Sequence, residues 1–357
     1  MKILYGVVGE GMGHAIRSKV IISKLLEMGH EVKIVVSGRA FDFLKKNFEG
    51  VNKIWGLTMV MEDNEIQKRE TALEVLKGSI EGLPENIKKY FELTKKFEPD
   101  CVISDFETWS AFYGYNNMIP VISIDNMQII RRCWHPDEIL RGRHNEWNLA
   151  KSVIKSKIPK ADHYLITTFF YPEIKKKNTT LVSPILRDEI INAKTSEKEH
   201  ILVYQTGESF KELPNILKKF DKTPFKIYGL KRNLDKELVE ENLTFCPFSE
   251  KTFVEDLSSA KAVIASAGFT LAGEAVHLGK PYLATPVKGQ FEQIINARYI
   301  EYLGYGLQDE ELDEFSIRHF IKNIDSYKRN LLGYEKKDNS ELFNNIEKLL
   351  LEIKNKK

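Results

Sequence analysis

The sequence predicts an α/β protein built from two Rossmann-like domains facing across a cleft, with a C-terminal helix packed back on the first. Three observations carry that expectation. Short β-branched runs alternate with helical stretches from the first residue, which is the pattern of a parallel sheet covered by helices on both faces. That rhythm stops near Pro184 and then restarts. Each half also holds a loop of glycines or small residues placed after a strand and before a helix. A length of 357 residues suits two such domains, each able to bury its own core.

In the first half the expected strands are Ile3 to Val8, Glu31 to Val36, Cys101 to Ser104, Val121 to Ile124 and Tyr164 to Thr167. Residues 66 to 98 read as a long charged helical region, interrupted near Gly82 and Pro84, and inserted on the first domain. The stretch LVSPILRDEIINAKTSEKEH is a strand, a proline and then a polar run, with the composition of a linker. It divides the chain into a first domain, 1–184, and a second domain, 185–335. In the second half the expected strands are Ile201 to Tyr204, Phe225 to Tyr228, Leu243 to Phe245, Ala262 to Ala265 and Tyr282 to Ala284. The tail 336–357 has Leu342, Ile346, Leu349, Leu350 and Ile353 at helical spacing among charges, so it is an amphipathic helix that must dock.

Composition narrows the function. Lys and Arg number 53 against 51 Asp and Glu, so no global positive field points to nucleic acid, and none is expected as a partner. Cys101, Cys133 and Cys246 are odd in number and lack metal-ligand spacing, which predicts reduced thiols with neither disulfide nor zinc. No apolar run reaches membrane-spanning length, because 260–279 is interrupted by Lys261, Glu274 and His277. The N-terminus lacks signal-peptide organisation. The expected location is cytoplasmic, with the inner face of the membrane as a place of peripheral contact.

GEGMGH at 9–14 follows the first strand and opens the first helix, where free backbone N–H groups and the helix dipole face a ligand. Gly11 and Gly13 let that ligand approach the backbone. A dinucleotide fingerprint needs G-x-G-x-x-G and an acidic residue ending the second strand. Here the spacing is G-x-G-x-G and the second strand ends Val36-Ser37-Gly38, so hydride transfer is disfavoured. His14 lies in the first helical turn, where the positive helix end helps keep a ring neutral, as a general base requires. A packing or capping histidine is the competing reading. Asp105 ends its strand on the same sheet edge, where a carboxylate on the second ring nitrogen would set the tautomer. Its alternative is to cap the helix starting near Glu107.

The second loop is Ala265-Ser266-Ala267-Gly268, leading into a helix from Phe269. Its N–H groups, Ala267 and Gly268 among them, can cradle a diphosphate, and Thr270 adds a hydroxyl. Glu274 lies one turn on, where a carboxylate can accept from two vicinal ribose hydroxyls. Gln290 and Gln293 open the next helix with side chains that both donate and accept. Close helix–sheet packing and solvated surface polar groups are the bland readings of each part alone; their order and spacing together make a stronger signal than any one of them.

Leu243 to Gly306 resembles the donor half of GT-B nucleotide-sugar glycosyltransferases, in particular the peptidoglycan N-acetylglucosaminyltransferase group with its archaeal and bacterial relatives. GEGMGHAIRS at 9–18 resembles their amino-terminal glycine-histidine loop. The resemblance implies that Gly268 and Thr270 hold the diphosphate, Glu274 the ribose, and Gln290 and Gln293 the transferred sugar, with Phe248 bordering the base. Thr206 and Gly207, in Tyr204-Gln205-Thr206-Gly207-Glu208, occupy the family's Gly-Gly-Ser turn, whose first glycine is missing here. The family histidine falls on His14, and an aspartate that pairs with it in related natural-product transferases falls on Asp105. KGQFEQ replaces the run with Asp found in many relatives where the sugar is read.

The implied activity is an inverting, metal-independent hexosyltransferase. It would move a sugar from a nucleotide-sugar, a UDP-sugar first, to a hydroxyl or phosphate in glycan, glycolipid or cell-envelope synthesis. The nucleotide-sugar is a co-substrate and no cofactor is expected. Arg131, Arg132, Trp134, Arg141 and Arg143 form a segment suited to an anionic or lipid-linked acceptor or to a membrane surface, against the reading of a solvated loop. A nucleotide-sugar 2-epimerase and a non-catalytic nucleotide-sugar-binding protein are the alternatives. The epimerase would need carboxylates converging on the sugar, for which the candidates are Asp105, Glu208 and Glu274.

Overall fold

The computed structural model describes residues 1–9, 11–56, 61–62, 65–66, 82–92, 96–205, 212–231 and 234–356. The chain divides into two compact units. The first comprises Met1–Val60, Gln67–Ile185 and Lys337–Lys357; the second comprises Met61–Ile66 and Leu186–Lys336. Among the described residues each unit has one seven-stranded sheet, and a two-stranded hairpin pairs Met61–Glu62 with Glu65–Ile66.

The sheet of the first unit contains β1 (Lys2–Val7), β2 (Glu31–Val36), β3 (Val51–Lys53), β4 (Cys101–Asp105), β5 (Val121–Asp125), β6 (His163–Thr167) and β7 (Thr179–Val182), in the spatial order β3-β2-β1-β4-β5-β6-β7. All its pairs are parallel. Both β4 and β5 are buried at every residue, because helices cover a parallel sheet on both faces and leave no solvated side to alternate with. Successive strands run outward from β1 to β3 on one side and from β4 to β7 on the other. The order therefore reverses between β1 and β4, where a crevice opens at the carboxyl ends of the strands. The register sets Val7 beside Asp105 at that edge.

Three helices matter on one face: α1 (Met12–Glu27), α2 (Ala40–Asn47) and the C-terminal α3 (Ser340–Asn355). Ile21, Ile22 and Leu25 of α1, Leu44 of α2, and Leu342, Ile346 and Leu350 of α3 share one core with Ile3, Tyr5, Val7, Ile34 and Ile103 of the sheet. The amphipathic tail thus buries its apolar stripe in the first unit. Leu349 and Ile353 pack at the margin of that core.

The sheet of the second unit contains β8 (Ile201–Tyr204), β9 (Phe225–Tyr228), β10 (Leu238–Glu240), β11 (Leu243–Cys246), β12 (Ala262–Ala265), β13 (Tyr282–Ala284) and β14 (Gly306–Gln308), ordered β10-β11-β9-β8-β12-β13-β14. Only the edge pair β10–β11 is antiparallel. The order reverses between β8 and β12, so the second crevice lies at the end of the strand that carries Ala265.

Every strand expected from the sequence is present, with ends displaced by one residue at most. Those not anticipated include β3, β10 and β14, each three residues long. So short a strand shows no periodicity. Of the charged region 66–98, residues 67–81 and 93–95 lie outside the described residues. The part between is helical over 82–92.

Candidate functional site

The first crevice is assembled by β1, β4, β5 and α1. Gly9 is required by its own backbone: a Cβ there would lie 1.9 Å from the carbonyl oxygen of Ser37, while its N–H is 3.0 Å from Ser37 Oγ as donor. Gly11 differs. It is the N-cap of α1, with an extended backbone and no side-chain cap, and a Cβ on it would meet nothing within 4 Å. The fold does not demand a glycine at that position, and the first N–H groups of α1 carry no side-chain cap. Gly13 lies in the first turn of the same helix.

His14, on that first turn, keeps 18% of its side chain exposed. Its Nδ1 lies 2.8 Å from Asp105 Oδ1, so the two predicted residues do meet. Asp105 is fully buried and does not cap the following helix. That role belongs to Glu107, whose carboxylate accepts from the N–H groups of Trp109 at 2.8 Å and Ser110 at 2.6 Å. Between them, Phe106 adopts the left-handed region with φ 53°, which for a bulky residue stores strain of order 1 kcal/mol or more at the turn leaving β4.

Three residues that the sequence reading did not single out complete this group. Arg17, buried to 2% exposure, donates from Nε to Asp105 Oδ2 at 2.8 Å and from Nη2 to Oδ1 at 2.5 Å. Its Nη1 donates to Asn126 Oδ1 at 2.7 Å, just beyond β5. Ser18 Oγ adds a hydrogen bond to Oδ2 at 2.9 Å. Burial alone would push the Asp105 carboxyl upward, but Arg17 and then His14 outweigh it and hold the group well below the usual carboxylate range. A signal for Arg17 existed. Positions 14, 17, 18, 21, 22 and 25 form one helical stripe whose last members are Ile21, Ile22 and Leu25, so the arginine is aimed inward and needs a buried anion.

The second crevice follows β12. Gly268 is the N-cap of the helix α4 (Phe269–His277), again with no side-chain cap and no atom within 4 Å of a would-be Cβ. Thr270 is half-buried in its first turn. Ala267 is buried, and its carbonyl accepts from Asn296 Nδ2 at 3.0 Å, which pins the loop. Gln205 and Thr285, at the carboxyl ends of β8 and β13 on either side of β12, are buried. Gln205 Nε2 and Thr285 Oγ1 have no hydrogen-bond partner among the described residues. A buried polar atom left so costs about 1–3 kcal/mol, which makes both atoms takers for a ligand or water.

Glu274 is on α4 but only 1% exposed. Its Oε1 accepts from Arg187 Nε at 2.8 Å and its Oε2 from Nη2 at 2.9 Å, while Arg187 Nη1 also reaches Glu250 at 3.1 Å. Burial pushes the Glu274 carboxyl up and Arg187 opposes it. Arg187 was not singled out from the sequence, since it sits in the segment read as linker. Gln293 Nε2 donates to Gln290 Oε1 at 2.7 Å and Gln293 Oε1 accepts from Val287 N–H at 3.0 Å, so this pair braces the turn before its helix, Phe291–Tyr302. Phe248 is largely exposed just beyond β11. Thr206, Gly207 and Glu208 lie outside the described residues.

Of the arginine segment, Arg132 is buried, stacked 3.5 Å from the Tyr164 ring centroid and bonded to Thr179. Arg131 holds the carbonyl of Ile158 and Arg143 pairs with Glu146. Trp134 remains exposed. Among the described residues one group, Glu237, Cys246 and Asp256, has spacing for a metal ion. Lys226 Nζ already lies 2.7 Å from Asp256 and 3.7 Å from Glu237, which supplies a cation there. All three cysteines are buried thiols outside any disulfide. No described helix is long and apolar enough to cross a membrane.

Comparison with known proteins matches residues 1–325 to the family described as Glycosyl transferase family 1. An uncharacterized glycosyltransferase of Methanosarcina acetivorans is 27% identical over 337 residues, covering 86% of this chain and 85% of that one. One of Methanosarcina mazei is 26% identical with the same coverage. Among solved structures, the glycotransferase of kitacinnamycin superposes with TM-score 0.64 at 13% identity, covering 93% of each chain. A UDP-glucosyltransferase from Polygonum tinctorium gives 0.62 at 13%, covering 92% of each chain. These likenesses, with the two largely parallel sheets, establish the GT-B fold class.

Proposed function

Because the chain belongs to glycosyl transferase family 1, we propose that its glycosyl transfer uses a nucleotide-sugar, a UDP-sugar first, and proceeds by a single inverting displacement. The observation that carries this reading is the 2.8 Å contact between His14 Nδ1 and the buried Asp105 carboxylate at the edge of the β1–β4 crevice. With Nδ1–H donated to Asp105, the Nε2 lone pair takes the proton of the acceptor O–H. The acceptor oxygen attacks the anomeric carbon, the bond from that carbon to the diphosphate oxygen breaks, and the nucleoside diphosphate leaves with the electron pair.

In the second unit the uncapped N–H groups after Gly268, with Thr270, would stabilise the diphosphate as charge develops on it. That arrangement supports a metal-independent reaction, as does a sequence with no Asp-x-Asp. The nucleotide-sugar is a co-substrate, and no separate cofactor is invoked. Glu274 would serve the ribose: a carboxylate offers about four lone-pair directions, of which Arg187 takes two. Gln290 and Gln293 would meet the sugar, and Phe248 would border the base. The acceptor is proposed to be anionic or lipid-linked, met through Arg131, Arg141 and Trp134, with peripheral membrane contact on the cytoplasmic side.

The test is thermal stabilisation of the purified protein by a panel of UDP-, GDP- and dTDP-sugars, followed by product analysis. A ligand at 100-fold its Kd should add about 2.7 kcal/mol of stability. One nucleotide-sugar should raise the melting temperature of the wild type and of His14→Ala, but not of Glu274→Gln, each measured against its own ligand-free value. Stabilisation by no nucleotide-sugar would remove the donor from this reading.

A further inference from the structure

We propose that Arg17 is a positioning residue that competes with Asp105 for Nδ1 of His14 and thereby sets which ring nitrogen carries the proton. Three atoms form a closed triangle: Nδ1 is 2.8 Å from Asp105 Oδ1 and 2.6 Å from Arg17 Nη2, and Nη2 is 2.5 Å from Oδ1. The guanidinium can only donate and the ionised carboxylate can only accept, so their mutual contact is always attractive. Nδ1 can satisfy one of them and never both. When it bears the proton it donates to Asp105 and faces the Arg17 N–H unfavourably. When it is bare it accepts from Arg17 and faces the carboxylate oxygen unfavourably.

The two arrangements differ in chemistry. Nδ1–H leaves the lone pair on Nε2, which is then a base for the acceptor. The bare Nδ1 places the proton on Nε2, which can then only donate. Both arrangements rest on a charge-assisted hydrogen bond, so neither is excluded by an unpaired Nδ1. Arg17 cannot simply drift away, since Nε is bound to Oδ2 and Nη1 to Asn126 Oδ1, and the side chain is almost wholly buried. Competence for proton abstraction therefore belongs to the arrangement in which Nδ1–H donates to Asp105, with Arg17 held in place.

The proposal deepens the transferase reading, on which its catalytic consequence rests. The tautomer itself is read without any substrate, so its failure is distinct from failure of the donor screen. Two-bond 1H–15N correlation spectra of protein labelled at the histidine rings, with His14 assigned by its loss in His14→Gln, report the protonated nitrogen directly. The wild type should show a resolved Nε2–H population beside Nδ1–H. In Arg17→Met, Asp105 is the sole partner and the ring should become Nδ1–H alone. Arg17→Lys retains a buried cation beside Asp105 but lacks the planar second arm, and is expected to give the same result where the Met variant does not fold. A wild-type ring held wholly as Nδ1–H overturns the proposal by itself, and so does a tautomer ratio unchanged in either folded variant. Loss of melting temperature without a change of tautomer would assign Arg17 to structure alone.

Discussion

Asp105 is wholly buried yet held ionised by Arg17, Ser18 and His14, which ties this site to stability as well as to chemistry. Its carboxyl lies below the usual range in the folded chain, whereas in the unfolded chain it titrates near 4. The stabilisation it contributes is therefore fully present above about pH 4 and is lost as the pH falls from there toward the folded value. Asp105→Asn leaves Arg17 as a buried cation without its anion and should cost about 3–5 kcal/mol at neutral pH. Urea unfolding of wild type and variant should show that gap narrowing below about pH 4; a gap that stays constant with pH would contradict the assignment. Of this group His14 and Asp105 were legible from loop position and strand end. Arg17 and Asn126 were legible only as a polar residue on an apolar stripe and a residue after a strand, because Arg17 lies 88 positions from Asp105 and 109 from Asn126.

Glycine has two separate uses in the first loop, and in the second the helix-capping glycine has only one of them. Gly9 lets β1 and the turn at Ser37 approach, so Gly9→Ala drives a methyl group into backbone and should destabilise the first unit by about 1–3 kcal/mol. Gly11 and Gly268 cap α1 and α4 in open space. Alanine at either should change the melting temperature of the free protein little, since the loss of a glycine N-cap is worth about 1 kcal/mol or less. If a ligand does approach the backbone there, Gly268→Ala should weaken nucleotide-sugar stabilisation in the thermal screen. Unchanged ligand response with Gly268→Ala would leave that loop a matter of helix–sheet packing. The sequence marks all three residues alike as glycines between a strand and a helix, and only their neighbours separate them.

At the scale of the whole chain the C-terminal helix belongs to the unit that begins the sequence. Ile346, buried in the first core beside residues of β1 and α1, should cost about 2–5 kcal/mol when replaced by alanine. Hydrogen exchange should register the loss in β1, β4 and α1, while amides of β8, β9 and β12 keep their protection. Equal loosening of both sheets would show that the two cores do not unfold separately.

The sequence by itself determined the α/β class, most of the strands, the restart of the pattern after Pro184, and the two loops at which chemistry was expected. These are local properties: hydrophobic period, turn residues and the spacing of glycines act within a few residues of where they stand. Tertiary structure alone decided that His14 Nδ1 meets Asp105, that Arg17 joins them, and that Glu107 rather than Asp105 caps its helix. It also decided that Arg187 takes both oxygens of Glu274 and that Gln290 bonds Gln293. A buried charge must find its counter-charge wherever the sheet order brings one, and parallel strands bring together residues separated by whole crossover connections. Pairing of that kind is set by strand order and register, which no local pattern encodes.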